Sequence, residues 1–389
     1  MRAVSSIREI DAAVWDGLAN PVPGEETAEW DRNPFLQHAF FEALEASGSA
    51  SARTGWAPHH LVMERGGETI GVLPCYVKSH SQGEYVFDYG WADAFERAGG
   101  RYYPKLQCTV PFTPATGRRL LVGNGADRRE RQALLGEGLR RMCEELGVSS
   151  AHITFQRADE AKLLEGMGYL ERNDQQFHWH NRLDAPYADF DEFLGSLASR
   201  KRKAIRKERA TARENVTVER LTGAQLTPDV WDTFFRFYMD TGSRKWGRPY
   251  LTRDFYKRIG ETMAADIVLV MARRGGAYVA GAINFVGSHT LFGRHWGCVE
   301  HHPMLHFECC YYQAIDYAIE HGLSTVEAGA QGGHKLARGY MPTITHSTHH
   351  ITHPGLREAV ASYLVQEREA VAWEAEATER HGPFRKDSA

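Results

Sequence analysis

At 389 residues the chain exceeds what one ordinary hydrophobic core supports, so two domains are expected. Its 42% hydrophobic and 25% charged residues exclude a disordered or fibrous chain, and a net charge of −4 excludes a global basic field. Any phosphate or nucleic-acid binding must then be local.

Six cysteines without CxxC spacing read as reduced core thiols, and no apolar run reaches membrane-spanning length or resembles a signal peptide. A cytoplasmic protein is expected. In chain order, a helix is predicted over Ile7–Leu18, and a second follows Asn33-Pro34, with Phe35, Leu36, Phe40, Phe41 and Leu44 at helical spacing. Two alternating runs around Gly66-Gly67 predict a β-hairpin. An aromatic, glycine-rich passage spans Glu84–Leu121. A helix over Arg128–Leu146, a strand over Ala151–Phe155 and a hairpin over Gly168–Asn181 complete the first half.

The second half opens with a helical stretch, Asp191–Arg213, and a short strand, Val216–Leu221. Helices over Pro228–Thr241 and Arg253–Ala264 precede a hairpin around Gly275-Gly276. The helix Phe307–Glu320 ends at Gly322, and Ser324–Ala328 reads as a strand. Thr345–Thr352 alternates like another strand, and Leu356–Thr378 is a long amphipathic helix. The halves repeat one plan: LVMERGGETIGVL (61–73) aligns with LVMARRGGAYVAGAI (269–283), and RRMCEELGVSSAHIT (140–154) with QAIDYAIEHGLSTVEAG (313–329). The expected architecture is a tandem repeat of α/β (α+β) domains, residues 1–182 and 183–389, each a mixed sheet flanked by helices.

This plan resembles the GCN5-related N-acyltransferase (GNAT) fold, and its duplication is similar to the Fem-type aminoacyltransferases. The strings NPFLQHAFFEALE, VPFTPATGRRLL, GRHWGC, HFECCYYQAIDYAIEHGL and GAQGGHKLARGYMPT resemble a Fem-like subfamily of peptidoglycan biosynthesis or recognition. The resemblance implies an acyl or aminoacyl group passed to a substrate amine, a small molecule or peptide. The preferred donor is aminoacyl-tRNA, with acyl-CoA as the alternative and no tightly bound cofactor. A non-catalytic binding protein for peptidoglycan precursors or an amine metabolite is the alternative of another class.

Such chemistry needs a base for the amine proton and donors for the oxyanion. Glu308, His306, His334 and Lys335 flank the helix start and the glycine turn, and are the catalytic candidates. Arg294, His295 and Trp296 follow a strand where GNAT folds open a gap for the acyl group. They join Gln331 and Arg338 of the turn as substrate-binding candidates, with Thr113 and Arg118 on the rigid TPATGR loop of the first half. For phosphate or tRNA, the candidates are Arg202, Arg206 and Arg209 on one helix face, and the glycines Gly123 and Gly125 before the first-half helix. The second-half helix lacks such a loop. Eleven of the 19 histidines lie between His289 and His353. No metal is expected, since there is no HExxH and His346, His349, His350 and His353 do not share a strand face.

Overall fold

A computed structural model describes residues 1–21, 32–246, 249–329 and 332–385. Its strands are β1 (Arg2–Val4), β2 (Trp56–Pro58), β3 (His60–Arg65), β4 (Glu68–Leu73), β5 (Tyr76–Lys78), β6 (Lys105–Cys108) and β7 (Ser150–Gln156). They continue with β8 (Leu170–His180), β9 (Thr217–Leu221), β10 (Ile267–Arg274), β11 (Ala277–Val286), β12 (Thr290–Cys298), β13 (Thr325–Glu327) and β14 (Met341–Ile351). Two compact units result. Counting described residues, the first holds 1–21, 35–175 and 344–374, and the second 32–34, 176–246, 249–329, 332–343 and 375–385. Residues 344–374 join the first unit because β14 pairs antiparallel with β7, His349 opposite His152. Among the described residues no helix is long and apolar enough to cross a membrane.

In the first unit β1, β3 and β4 form one small sheet, and β2, β5, β6, β7 and β14 run side by side in another, followed by the Leu170–Gln175 part of β8. The β3–β4 turn has Gly66 and Gly67 at φ 62° and 88°, the two successive left-handed residues of a tight hairpin. Gly275 and Gly276 (54° and 86°) do the same between β10 and β11. Leu106, Cys108, Ala151 and Ile153 form an apolar face under Leu135, Leu139, Met142 and Cys143 of the helix Arg128–Glu145.

The opposite face is polar and nevertheless buried. The registers Lys78↔Lys105, Gln107↔His152 and His152↔His349 put these five side chains on one side, each at most 2% exposed. The passage expected as an irregular aromatic segment supplies their counter-charges. Lys105 Nζ donates to Glu84 Oε2 at 2.7 Å and to Asp88 Oδ2 at 2.5 Å, and Tyr102 also donates to Asp88. A helix, Tyr89–Arg97, then lays Trp91 against His349, the ring centroids 4.9 Å apart.

The hairpin expected over Gly168–Asn181 is instead the single strand β8, since Asn173-Asp174-Gln175 at its middle offers no glycine for two left-handed residues. The helical stretch Asp191–Arg213 is two helices, Phe190–Ser196 and Ser199–Arg213, parted where Leu197 and Ala198 turn extended (ψ 154° and 141°).

In the second unit β9, β10, β11 and β12 are antiparallel, β12 and β13 parallel, and β13 pairs with the Gln176–His180 part of β8. Leu305 and Cys309 pack on Val268, Val270 and Ala280, while Ile315 and Ala318 pack on Trp179 and Val326. The helix Pro228–Trp246 lies directly on β12: a Cβ at Gly297 would stand 2.2 Å from the Phe237 carbonyl oxygen. Gly297→Ala must push helix and strand apart. It is expected to lower stability by about 1–3 kcal/mol, read as a reduced midpoint in urea unfolding; an unchanged midpoint would refute this packing.

Candidate active site

The parallel pairing of β12 with β13 is brief, covering only Thr290–Phe292 against Thr325–Glu327. β13 then ends, while β12 runs on to Cys298 with β11 on its other side. The divergence opens a cavity of about 80 Å³. Gly293, Arg294, His295 and Trp296 of β12 line it, together with Ala328 and with His306, Cys310 and Tyr311 from the facing helical segment.

That segment is not a uniform helix. Met304 enters it left-handed (φ 61°), Leu305–Phe307 forms a first turn, Glu308–Tyr312 a π-helical turn, and Gln313–Glu320 a regular helix. A π turn inserts a residue and re-aims the side chains around it, an arrangement frequent at functional sites. Tyr311 thereby lines the cavity while its hydroxyl meets His334 Nε2 at 2.9 Å.

Glu308 takes the opposite direction. It is fully buried and accepts Arg209 at both oxygens (3.1 Å each), Arg213 at 2.5 and 3.0 Å, and Gln313 Nε2 at 2.8 Å. Four of these contacts converge on Oε1 and one on Oε2, so the carboxylate is committed to two arginines and Gln313 and does not line the cavity, which corrects its expected role as a base. Arg209, also bonded to Asp316 at 2.5 Å, is equally committed, and Arg206 pairs with Asp191 at 3.0 Å. The arginine face expected to meet phosphate is therefore largely neutralised by this chain's own acids; only Arg202 forms no ion pair among the described residues. Glu308→Ala would strand Arg209 beside Asp316 alone. It is expected to cost toward the lower end of about 3–5 kcal/mol, since Arg213 is half exposed and keeps water. Chemical denaturation checks this, and a loss under 1 kcal/mol would contradict it.

The glycine turn carries the remaining candidates. Lys335 is 1% exposed and donates to the Gly329 carbonyl at 2.7 Å. Burial, reinforced by the Arg294 charge, brings its ammonium down to about 8. Burial also holds His334 below the usual imidazole range, with Arg338 and Lys335 adding to the effect. Arg338 is tied down: it lies 3.5 Å over the Phe307 ring and donates to the His334 carbonyl and to Glu208 at 2.7 and 2.9 Å. His295, pushed down to about 3 by burial, meets the Tyr256 hydroxyl at 3.4 Å, and Trp296 packs edge-on against His306, the centroids 5.3 Å apart. Gln331 lies outside the described residues.

The structure thus sets His306, Arg294, His295 and Trp296 around the cavity, with His334 behind Tyr311 and Lys335 buried on the Gly329 carbonyl next to the lining residue Ala328, and leaves Glu308 and Arg338 as braces. In the sequence Tyr311 has the spacing of the apolar stripe of a regular helix, and no residue pattern announces the π turn that brings it to the cavity.

The first-half candidates lie in the first unit. There β6 and β7 also diverge, but the chain itself fills the gap. Gly117 N–H donates to the Phe155 carbonyl at 3.0 Å, and Arg119 bonds the carbonyls of Thr154 and Ala115 at 3.0 and 2.9 Å. Thr113 bonds the Pro111 carbonyl at 3.0 Å, and Arg118 is buried against the Ala19 carbonyl, its charge brought down to about 10 by burial. Neither presents a group to a ligand, which corrects their expected role. The Gly123–Gly125 turn is structural as well: Gly123 N–H donates to the Leu18 carbonyl, and Arg131 fills the loop, 3.0 Å from the Asn124 carbonyl. A Cβ at Gly125 would fall 2.5 Å from that guanidinium, so the side chain of Arg131 lies close against the turn.

Residues 6–386 match the model of the FemAB-like family, described as peptidoglycan biosynthesis/recognition. Among solved structures, the crystal structure of FemX superposes with a TM-score of 0.53 at 14% identity, over 93% of this chain and 100% of that one. L-PGS from Bacillus licheniformis gives 0.50 at 10% identity, over 86% and 98%. At such identities the likeness speaks for the fold. No curated protein matches the sequence. With nearly its whole length matched, the chain belongs to the FemAB-like family, its mixed α/β units followed by the C-terminal helix Pro354–Arg380.

Proposed function

We propose that this protein transfers an acyl or aminoacyl group to a substrate amine, with the reaction at the β12–β13 divergence of the second unit. The observation that carries the reading is the contrast between the units: the divergence is filled by the chain in the first and open, with a buried lysine beside it, in the second. In the proposed step the amine nitrogen attacks the carbonyl carbon of the donor ester or thioester. A C–N bond forms, the C–O or C–S bond breaks, and the leaving oxygen or sulfur takes up a proton. Tyr311 accepts the amine proton as it passes its own to the neutral His334, and the Lys335 ammonium stabilises the developing oxyanion. His306, beside Trp296 and Tyr311, orients the acyl group.

The preferred donor is aminoacyl-tRNA. Once Arg206, Arg209 and Arg213 are paired, the exposed cations of the helix Ser199–Arg213 are Arg200, Lys203 and Lys207, spaced three and four apart on one face. Reversing Lys203 and Lys207 together to Glu is expected to weaken charged-tRNA binding at least tenfold and to flatten its salt dependence. Unchanged binding would remove that face from the reading. The deciding assay offers charged tRNA or acyl-CoA with candidate amines and follows product by mass. Transfer from acyl-CoA alone replaces the donor; tight amine binding with no transfer from either favours a binding protein.

A further inference from the structure

Cys310 lines the β12–β13 cavity, and its thiol has no part in the step proposed above. A half-buried cysteine is often only a small apolar filler. Its chain neighbour Cys309 is one: it is fully buried and packs on Val268, Val270 and Ala280. Burial, with Cys310 and Glu308 adding to it, pushes the Cys309 thiol well above its ordinary range, the state of an inert cysteine.

Cys310 is placed differently. It is the middle residue of the π turn Glu308–Tyr312, which sets it at the cavity while Cys309 faces the core. It is only partly buried, so its sulfur is not sealed in the core. It also lies among cations. Arg294 shares the cavity wall with it, and Lys335 is close: burial chiefly lowers that ammonium, the Cys310 sulfur opposes the fall, and Arg294 adds to it. Positive charge beside a partly exposed thiol favours the thiolate, which is the reactive form. His306 lines the cavity as well, so a base for the thiol proton stands on the same wall.

We propose that Cys310 is the nucleophile that first receives the acyl group, so that transfer runs in two steps through a thioester on its sulfur. In the first, Cys310 Sγ attacks the donor carbonyl carbon. A C–S bond forms, the donor's own C–O or C–S bond breaks, and the thiol proton passes through His306 to the leaving atom. In the second, the amine attacks the Cys310 thioester. The C–N bond forms, the C–Sγ bond breaks, and Sγ takes up a proton as the amine loses one to Tyr311. The amine attack proposed above is this second step, with acyl-Cys310 as its thioester. Lys335 serves both steps, since each passes through an oxyanion at the same carbonyl. Passage to an amine rests on the function proposed above; acylation of Cys310 does not.

The test offers the full chain p-nitrophenyl acetate, an activated ester that needs no recognition of tRNA or CoA, in the absence of any amine. A burst of about one equivalent of p-nitrophenol is expected. The acetyl group should lie on the peptide carrying Cys310 and be removed by neutral hydroxylamine, which cleaves a thioester and spares an amide. Cys298→Ala, which removes the thiol at the end of β12, should behave as the unaltered protein. Cys310→Ala should give no burst. Cys310→Ser, closer in shape, should keep the urea midpoint and lose the hydroxylamine-labile label. With a working donor and amine, Cys310→Ala should lower transfer at least about a hundredfold, and the unaltered protein should show the ping-pong kinetics of a two-step exchange. No burst, a label elsewhere, or an unchanged transfer rate in Cys310→Ala overturns the covalent step and leaves direct attack by the amine on the donor. A label on Cys310 that no amine takes up overturns the proposed function and leaves the nucleophile, so the two failures are distinct.

Discussion

Lys105→Met is expected to destabilise the protein by about 3–5 kcal/mol, the usual consequence of removing one partner from a buried ionic cluster. Lys105 is fully buried and holds two carboxylates at 2.7 and 2.5 Å. Burial opposes the charge of Asp88, but Lys105 and His152 keep it far below the ordinary carboxylate range. Burial lifts Glu84 to about 7 even against Lys105. Lys78 cannot substitute. Burial has already brought it down to about 7, and it stands 3.8 Å from Glu84 over the Trp56 ring. Without Lys105, Asp88 remains a buried anion facing only neutral donors.

The pH dependence has a definite sign. A carboxyl with a raised native pKa binds more protons folded than unfolded, so between about 4.5 and 7 its contribution to stability falls as pH rises. In the variant Glu84 can relieve the strain by taking a proton. The loss should accordingly be smaller at pH 5 than at pH 8. Adding Glu84→Gln should recover part of it, because a second uncompensated charge is then gone. Urea unfolding of the unaltered protein, Lys105→Met, Glu84→Gln and the double variant at both pH values decides; a loss below 1 kcal/mol in Lys105→Met would show that the cluster is not held by Lys105.

Lys335→Met is the larger expected effect on activity, a fall of about 10²–10³ in transfer rate with the fold retained. Methionine matches the length of the stem and the side chain is already buried, so the change removes the charge more than the packing. Because the ammonium titrates near 8, transfer by the unaltered protein should decline as pH rises through that value. Stability should move the other way. The native lysine loses its proton near 8 while the unfolded one keeps it to 10.5, so the unfolded state binds more protons in that window and stability rises across it. The methionine variant should lack this rise. A full transfer rate in Lys335→Met, measured by product mass, would take Lys335 out of the mechanism.

Some of the site was legible beforehand because its signals are local. Paired glycines mark both hairpins, and the polar turn after β13 stood out by composition. The strand carrying Arg294, His295 and Trp296 showed by its alternation. What misled was the meaning of charge. Arg202, Arg206, Arg209 and Arg213 do share a helical period, but a period cannot say what stands opposite. Glu308, almost a hundred positions on, takes two of them. The same pairing withdrew Glu308 from catalysis, and the π turn that aims it also brought Tyr311 to the opening.

The sequence alone determined the duplicated plan, the two glycine-paired hairpins and the family, since these depend on backbone permissions and short-range periodicity that neighbours in the chain dictate. Tertiary structure alone decided which carboxylates and guanidiniums neutralise one another, and which of two equivalent strand divergences stays open. It also decided that β14 completes the first unit's sheet. Those outcomes turn on contacts between residues far apart in the chain, where burial converts a solvated charge into either a brace or a reactive group.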